Sequence, residues 1–105
     1  MNVENAVDHV WHALGGGPRP TRIAWSGPRG TLASPLAVDT LARACVAACA
    51  LAAAGLRGVD TEPVRVDSGA VATAFVSERV LRRDGSGFSG FAPLSRFWRA
   101  RDGWV

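Results

Sequence analysis

Residues Ser34 to Gly55, SPLAVDTLARACVAACALAAAG, leave a chain of this length few ways to fold. Between Asp39 and Gly55 only Thr40 and Arg43 are polar, and every residue from Ala44 to Ala54 is Ala, Cys, Val or Leu. Pro35 biases Ser34 toward extended backbone, Asp39 is a favoured N-cap, and Gly55 suits the left-handed residue that ends a helix. The spacing therefore predicts a helix running from Asp39 to Ala54. A helix that is apolar all round is expected to be buried on all sides. Its small side chains let neighbouring backbones approach closely, so the Asp39 carboxylate at its start is held with little freedom. On this pattern alone Asp39 reads as a cap.

With 105 residues and 48% hydrophobic composition, the chain is expected to form one small domain with a modest core. The apolar run from Ala44 to Leu56 falls short of the roughly 20 residues that a spanning helix needs, so no membrane partner is expected. Met1 is followed by polar and acidic residues rather than by a basic start and an apolar stretch, which gives a cytoplasmic expectation. All twelve basic residues are arginine, and the net charge is +3. Arg96, Phe97, Trp98, Arg99 and Arg101 are the one place where arginine and aromatics interleave. Without a nucleic-acid-binding motif around them, no nucleic-acid partner is expected.

Cys45 and Cys49 stand four apart on one helix face, where a disulfide has poor geometry, and no further Cys or His completes a metal site. They are expected to be free, buried thiols. Elsewhere, Val3, Ala6, Val7, Val10, Trp11 and Leu14 fall at helical spacing, with Asn2 as cap and Gly15, Gly16 and Gly17 as stop. His9, His12, Asp8 and Glu4 on that helix read as solvated positions, and no metal is expected. A strand is predicted over Arg22 to Trp25, and Ser26 to Gly30 reads as a turn because its glycine spacing matches no phosphate-loop pattern.

Leu56 to Glu62 then reads as a polar connection, Pro63 to Asp67 as a strand, and Ala70 to Leu81 as a second long helix. Arg79, Arg82 and Arg83 sit toward the C-terminal end of that helix, where the dipole favours them. Asp84 to Gly90 reads as a loop, and Arg96 to Ala100 as a strand. Asp102-Gly103 is a hairpin turn signal, with Trp104 and Val105 starting a return strand that is left incomplete. The fold class expected is α/β, or α+β as an isolated fragment: a long buried central helix, two further helices and a few short strands.

The order of these pieces resembles the family III CoA-transferases, the family of formyl-CoA transferase, the carnitine CoA-transferases and the 2-methylacyl-CoA racemases. The likeness runs from residue 34 to the end. It is carried by the approach Pro35 to Val38 into Asp39, the small-residue helix, Val64-Arg65-Val66-Asp67, the segment Ala70 to Leu81, and the closing RFWRARDGWV. The resemblance implies that Asp39 stands at the position of the family's catalytic aspartate. It also implies an acyl-CoA thioester as substrate, with no permanently bound cofactor. In that chemistry the carboxylate attacks the thioester, a mixed anhydride forms, and CoA passes to a second carboxylic acid.

The racemase branch pairs its aspartate with a histidine, but His9 and His12 match no such motif. After Asp39 this chain carries Thr40, Leu41, Ala42 and Arg43 where the family usually has glycine, and residues 1–33 show no dinucleotide-binding signature. The resemblance thus implies the front part of a longer protein, with residues 1–17 as a helix and glycine link. Its partners would be acyl-CoA, the missing remainder, or a second copy in a homodimer. The alternative is a non-catalytic structural or dimerisation domain derived from the same fold.

Overall fold

A computed structural model describes residues 2–58, 61–87 and 91–105. The chain mixes helices with short strands and falls into two compact units, the first ending at Phe75 and the second running Val76–Val105. In the first unit the elements are α1 (Val3–Ala13), β1 (Ile23–Ser26), α2 (Val38–Arg57), β2 (Val64–Asp67) and α3 (Ser68–Phe75).

Helix α1 begins and ends where its local chemistry dictates. The Asn2 side chain accepts the Glu4 N–H, and Gly15, at φ +82°, follows the last turn. The Gly15 N–H bonds the His12 carbonyl and the Gly16 N–H bonds the Trp11 carbonyl, the paired pattern that closes a helix on a left-handed residue. Ala6 and Val7 face the core.

Helix α2 departs from its expected limits at both ends. Its N-cap is Ala37, which offers no side-chain hydrogen bond, and Asp39 lies inside the first turn rather than capping it. At the other end Gly55 is helical, and Gly58, at φ +66°, makes the left-handed stop. The helix therefore extends through Leu56 and Arg57, the first residues of the expected polar connection. Residues 59–60 of that connection lie outside the described residues. At 20 residues α2 is long and apolar enough, by length and composition, to cross a membrane, which the shorter run from Ala44 to Leu56 did not suggest.

Nor is α2 buried on all sides. Ala44, Ala47, Ala48 and Leu51 are buried at the i, i+3, i+4, i+7 spacing of a single stripe, while Leu41, Cys49 and Leu56 are exposed. Composition hides this amphipathicity because alanine occupies both faces. The buried stripe packs against α1, β2 and α3, and with Ala6, Val7, Ala42, Val66 and Val71 it forms the core of the unit. Both cysteines are free as expected, but Cys49 is exposed and Cys45 only partly buried.

Strands β1 and β2 pair in parallel, Ile23 opposite Val64 and Ser26 opposite Asp67, so α2 is the crossover of a β-α-β unit. Both strands end at the same edge of this small sheet, and α2 begins after the loop that leaves β1. Trp25 and Arg19 fasten α1 to this frame: the Trp25 indole donates to Glu4 Oε1 at 2.6 Å, and Arg19 bonds both Glu4 and Asp8.

The second expected long helix, Ala70 to Leu81, is two pieces. Helix α3 starts earlier, at Ser68, because Asp67 Oδ1 accepts the Ala70 N–H and caps it. It ends at Phe75, and the separate turn α4 (Ser77–Val80) belongs to the second unit.

In that second unit β3 (Arg82–Arg83) and β4 (Ser86–Gly87) form a hairpin with Asp84 and Gly85 as its two central residues, both at positive φ. The sequence suggests only a loop for this Asp-Gly pair, and residues 88–90 of that loop lie outside the described residues. The other Asp-Gly pair sits one position off the turn centre. Ala100 N–H bonds the Gly103 carbonyl, so Arg101 and Asp102 are the central pair. In place of a strand over Arg96 to Ala100 there is a single bridge, Arg99 to Trp104, flanked by reciprocal bonds between Trp98 and Val105. Among the described residues of this unit none is buried.

The glycines of α2 separate two effects. A Cβ at Gly55 would meet Pro20 at an ordinary 3.7 Å, whereas Gly58 has open space but a left-handed backbone. We expect Gly55→Ala to stabilise by up to about 1 kcal/mol and Gly58→Ala to destabilise by about 1–2 kcal/mol, read by urea denaturation. Leu51→Ala, at a fully buried site, is expected to cost about 2–5 kcal/mol in the same assay.

Candidate functional site

The first turn of α2 opens onto a cleft of about 580 Å³ lined by Asn2, Val3, Trp25, Ser26, Gly27, Arg29, Asp39, Thr40 and Arg43. Its walls come from three places: the start of α1, the end of β1 with the loop after it, and the start of α2. A crevice beyond the carboxyl ends of parallel strands, beside a helix start, is where open α/β sheets take their ligands.

Asp39 is placed by two side chains that the sequence did not single out together. The Thr31 hydroxyl donates to Asp39 Oδ1 at 3.0 Å. Arg43, one turn along α2, brings Nη1 to 3.6 Å from Asp39 Oδ2, an ion pair longer than a hydrogen bond. The Asp39 side chain is 18% exposed and that of Arg43 10% exposed, so the pair sits at the floor of the cleft. The Arg43 guanidinium lies 4.8 Å from the centroid of the Trp25 ring, and its buried Nε has no hydrogen-bond partner. In the sequence Arg43 marks only a departure from the glycine usual after the aspartate in the family the chain resembles; its pairing with Asp39 and its place over Trp25 are set by packing.

The loop after β1 also belongs to the site, although its glycine pattern suggested only a turn. Gly27 (φ +80°) and Gly30 (φ +67°) bracket Pro28 and Arg29. Gly27 is doubly constrained, since a Cβ there would stand 2.8 Å from Asp67 Oδ2. Asp67 ties the two strand ends together: the Ser26 hydroxyl donates to its Oδ2 at 2.9 Å while its Oδ1 caps α3.

Of the other candidates, His12 Nδ1 is hydrogen-bonded to the Asp8 carbonyl, and Glu4 and Asp8 are taken up by Arg19. Among the described residues no group of three His, Cys, Asp or Glu side chains converges as a metal site would. The Arg-aromatic segment pairs within its own unit, Arg96 over Trp98 and Arg99 over Trp104.

Two carboxyl groups of the frame are held below their ordinary range. Asp67 is lowered by the Ala70 N–H, then by the Ser26 hydroxyl, and Glu4 by hydrogen bonds from Arg19 and Trp25. Each binds its proton more weakly when folded than when unfolded, so its contribution is complete above the ordinary values of 3.8 and 4.5 and is lost as pH falls through the lower folded values. We expect the urea midpoint to be level down to about pH 5 and to drop below it. The acid limb should be shallower in the Glu4→Gln, Asp67→Asn double variant. Comparison of the chain with protein-family models, with curated proteins and with solved structures found no match.

Proposed function

We propose that the chain is part of a protein of the family III CoA-transferase type, in which Asp39 is the nucleophile that accepts an acyl group from a CoA thioester. The observation that carries this reading is the placement of Asp39: a partly buried carboxylate in the first turn of the core helix, oriented by Thr31 and Arg43, facing an open cleft. Covalent catalysis needs a nucleophile held in one geometry, and the buried stripe of α2 fixes the helix that carries it.

In the step proposed, an Asp39 carboxylate oxygen bonds to the thioester carbonyl carbon. The carbon–sulfur bond breaks, and the electron pair leaves on the CoA thiolate. The enzyme is left as a mixed anhydride. The thiolate then attacks the Asp39 carbonyl and expels the first acid as its carboxylate. The second carboxylate displaces CoA from that Asp39 thioester to give a new anhydride, and the thiolate takes the second acyl group and restores the Asp39 carboxylate. The N–H groups of Asp39 and Thr40 have no partner among the described residues, and such unpaired donors at a helix start favour negative charge in the cleft. In this reading the substrate is an acyl-CoA and the acceptor an organic acid.

A second reading rests on a different observation. Leu41 and Leu56 of α2 are exposed, as are Phe91, Phe97 and Trp104 of the second unit, and β1 and β2 pair only with each other among the described residues. Exposed apolar side chains and open strand edges are features of surfaces that associate. They favour a structural or dimerisation domain.

The test is transfer from an acyl-CoA to a carboxylic acid by the assembly isolated from its source cell, with the chain intact or carrying Asp39→Ala. The variant is expected to lose activity by roughly a thousandfold or more while its circular dichroism is unchanged. Undiminished transfer would refute the nucleophile role. Absence of any acyl-CoA heat in calorimetry, with a dimer in sedimentation, would favour the second reading.

A further inference from the structure

Among the described residues of the first unit, Arg43 is the one charged residue that is buried. Its side chain is nine-tenths buried, and none of its N–H groups makes a hydrogen bond among the described residues. Its Nε is shut off from solvent with no acceptor. A buried donor left unmet costs free energy, and the two terminal nitrogens, of which Nη1 faces Asp39, are the ones an anion in the cleft can reach. The one anion present, Asp39, offers charge at 3.6 Å but no hydrogen bond.

Three further observations converge on the same cleft. Helix α2 starts on Ala37 with no side-chain cap, so the Asp39 and Thr40 N–H groups remain open beside the cleft. Arg29 brings a second guanidinium to its wall from the loop bracketed by Gly27 and Gly30. The lining residues carry two positive charges, Arg29 and Arg43, against the single negative charge of Asp39.

We propose that this cleft is an oxyanion site gated by the charge on Asp39: a carboxylate or phosphoryl group is held between Arg43, Arg29 and the open N–H groups of the α2 start. While Asp39 is negative it shares Arg43 with the incoming anion and repels it. Once the Asp39 charge is removed, by substitution with Asn or by acylation, Arg43 is a buried cation without a counter-charge, and the oxyanion takes its place. The helix start supplies donors rather than a full charge, so Arg43 and the state of Asp39 set the affinity. The site shares its cleft with the transferase reading but requires no thioester chemistry. If Asp39 does become an anhydride, the loss of its charge is the signal that opens the site.

The experiment is an amide-resolved NMR titration of the 105-residue chain at constant ionic strength, with inorganic phosphate in one series and acetate in the other. Saturable shifts are expected at Gly27, Arg29, Asp39 and Thr40 and at the Arg43 side chain. Asp39→Asn, which removes the charge and keeps the shape, is expected to tighten binding at least tenfold, and Arg43→Gln to abolish saturation. A stronger acetate series identifies a carboxylate ligand, and a stronger phosphate series a phosphoryl group. Shifts spread over arginines elsewhere in the chain, or an Asp39→Asn affinity equal to or below that of the parent, would overturn the proposal.

Should Asp39→Asn fail to fold, Arg29→Gln on the exposed loop decides: a several-fold weaker response supports the site, and an unchanged one overturns it. Acylation of Asp39 by acetyl-CoA is followed by mass in the assembly isolated from its source cell. Its absence there, alongside saturable, Asp39-gated anion binding, removes the transferase reading and leaves the oxyanion site standing.

Discussion

The first unit depends on the close approach of two helices over alanine. Ala44, Ala47 and Leu51 of α2 share one buried cluster with Ala6 and Val7 of α1, and the small alanine side chains let the two helices come close. Dispersion contacts at this range are individually small but dense, and they leave no room for α2 to slide or rotate. Because α2 is also the crossover between β1 and β2, fixing its axis fixes where its first turn stands relative to the strand ends. The Asp39 cleft follows from that placement.

Polar bonds then hold the rim of the cleft in register. Glu4 receives both Arg19 and the Trp25 indole, joining α1 to β1, and Asp67 receives the Ser26 hydroxyl and the Ala70 N–H, joining β1, β2 and α3. These bonds connect elements that have little apolar surface to bury, and the short strands show why they are needed: only Val66 among their residues is buried. The packed core and the bonded rim divide the work. Alanine contacts set the position of α2, while carboxylates set the loops that face it.

Within this frame Arg43 stands out as a departure from local consistency. An apolar side chain at that position would fill the space beside Trp25 without leaving buried donors unmet. Sites that break a local rule without an evident structural return are where function is sought, and this one shares its helix turn with the candidate nucleophile. The second unit presents a different case, with arginines stacked on its own tryptophans and no buried residue among those described.

Much of the local structure was legible in the residues themselves. Asn2 and Gly15 bound α1 because a cap bond and a left-handed residue act within a few residues of the chain. The strands near residues 23 and 64 are readable within one residue at each end, whereas Asp84-Gly85 is a turn centre that its glycine- and serine-rich surroundings disguise as loop, and the Asp102-Gly103 signal lies one position beyond the true centre. Asp39 and the α2 stretch were conspicuous by composition alone. What tertiary structure decided was which face of α2 is buried, that its helix runs on through Gly55 to Gly58, and that β1 and β2 lie parallel. It also decided that Asp39 meets Thr31 and Arg43 instead of capping its helix. The physical reason is one of range: caps and turns are settled by neighbours in sequence, whereas an alanine-rich helix looks the same on every side until another element packs against one of them.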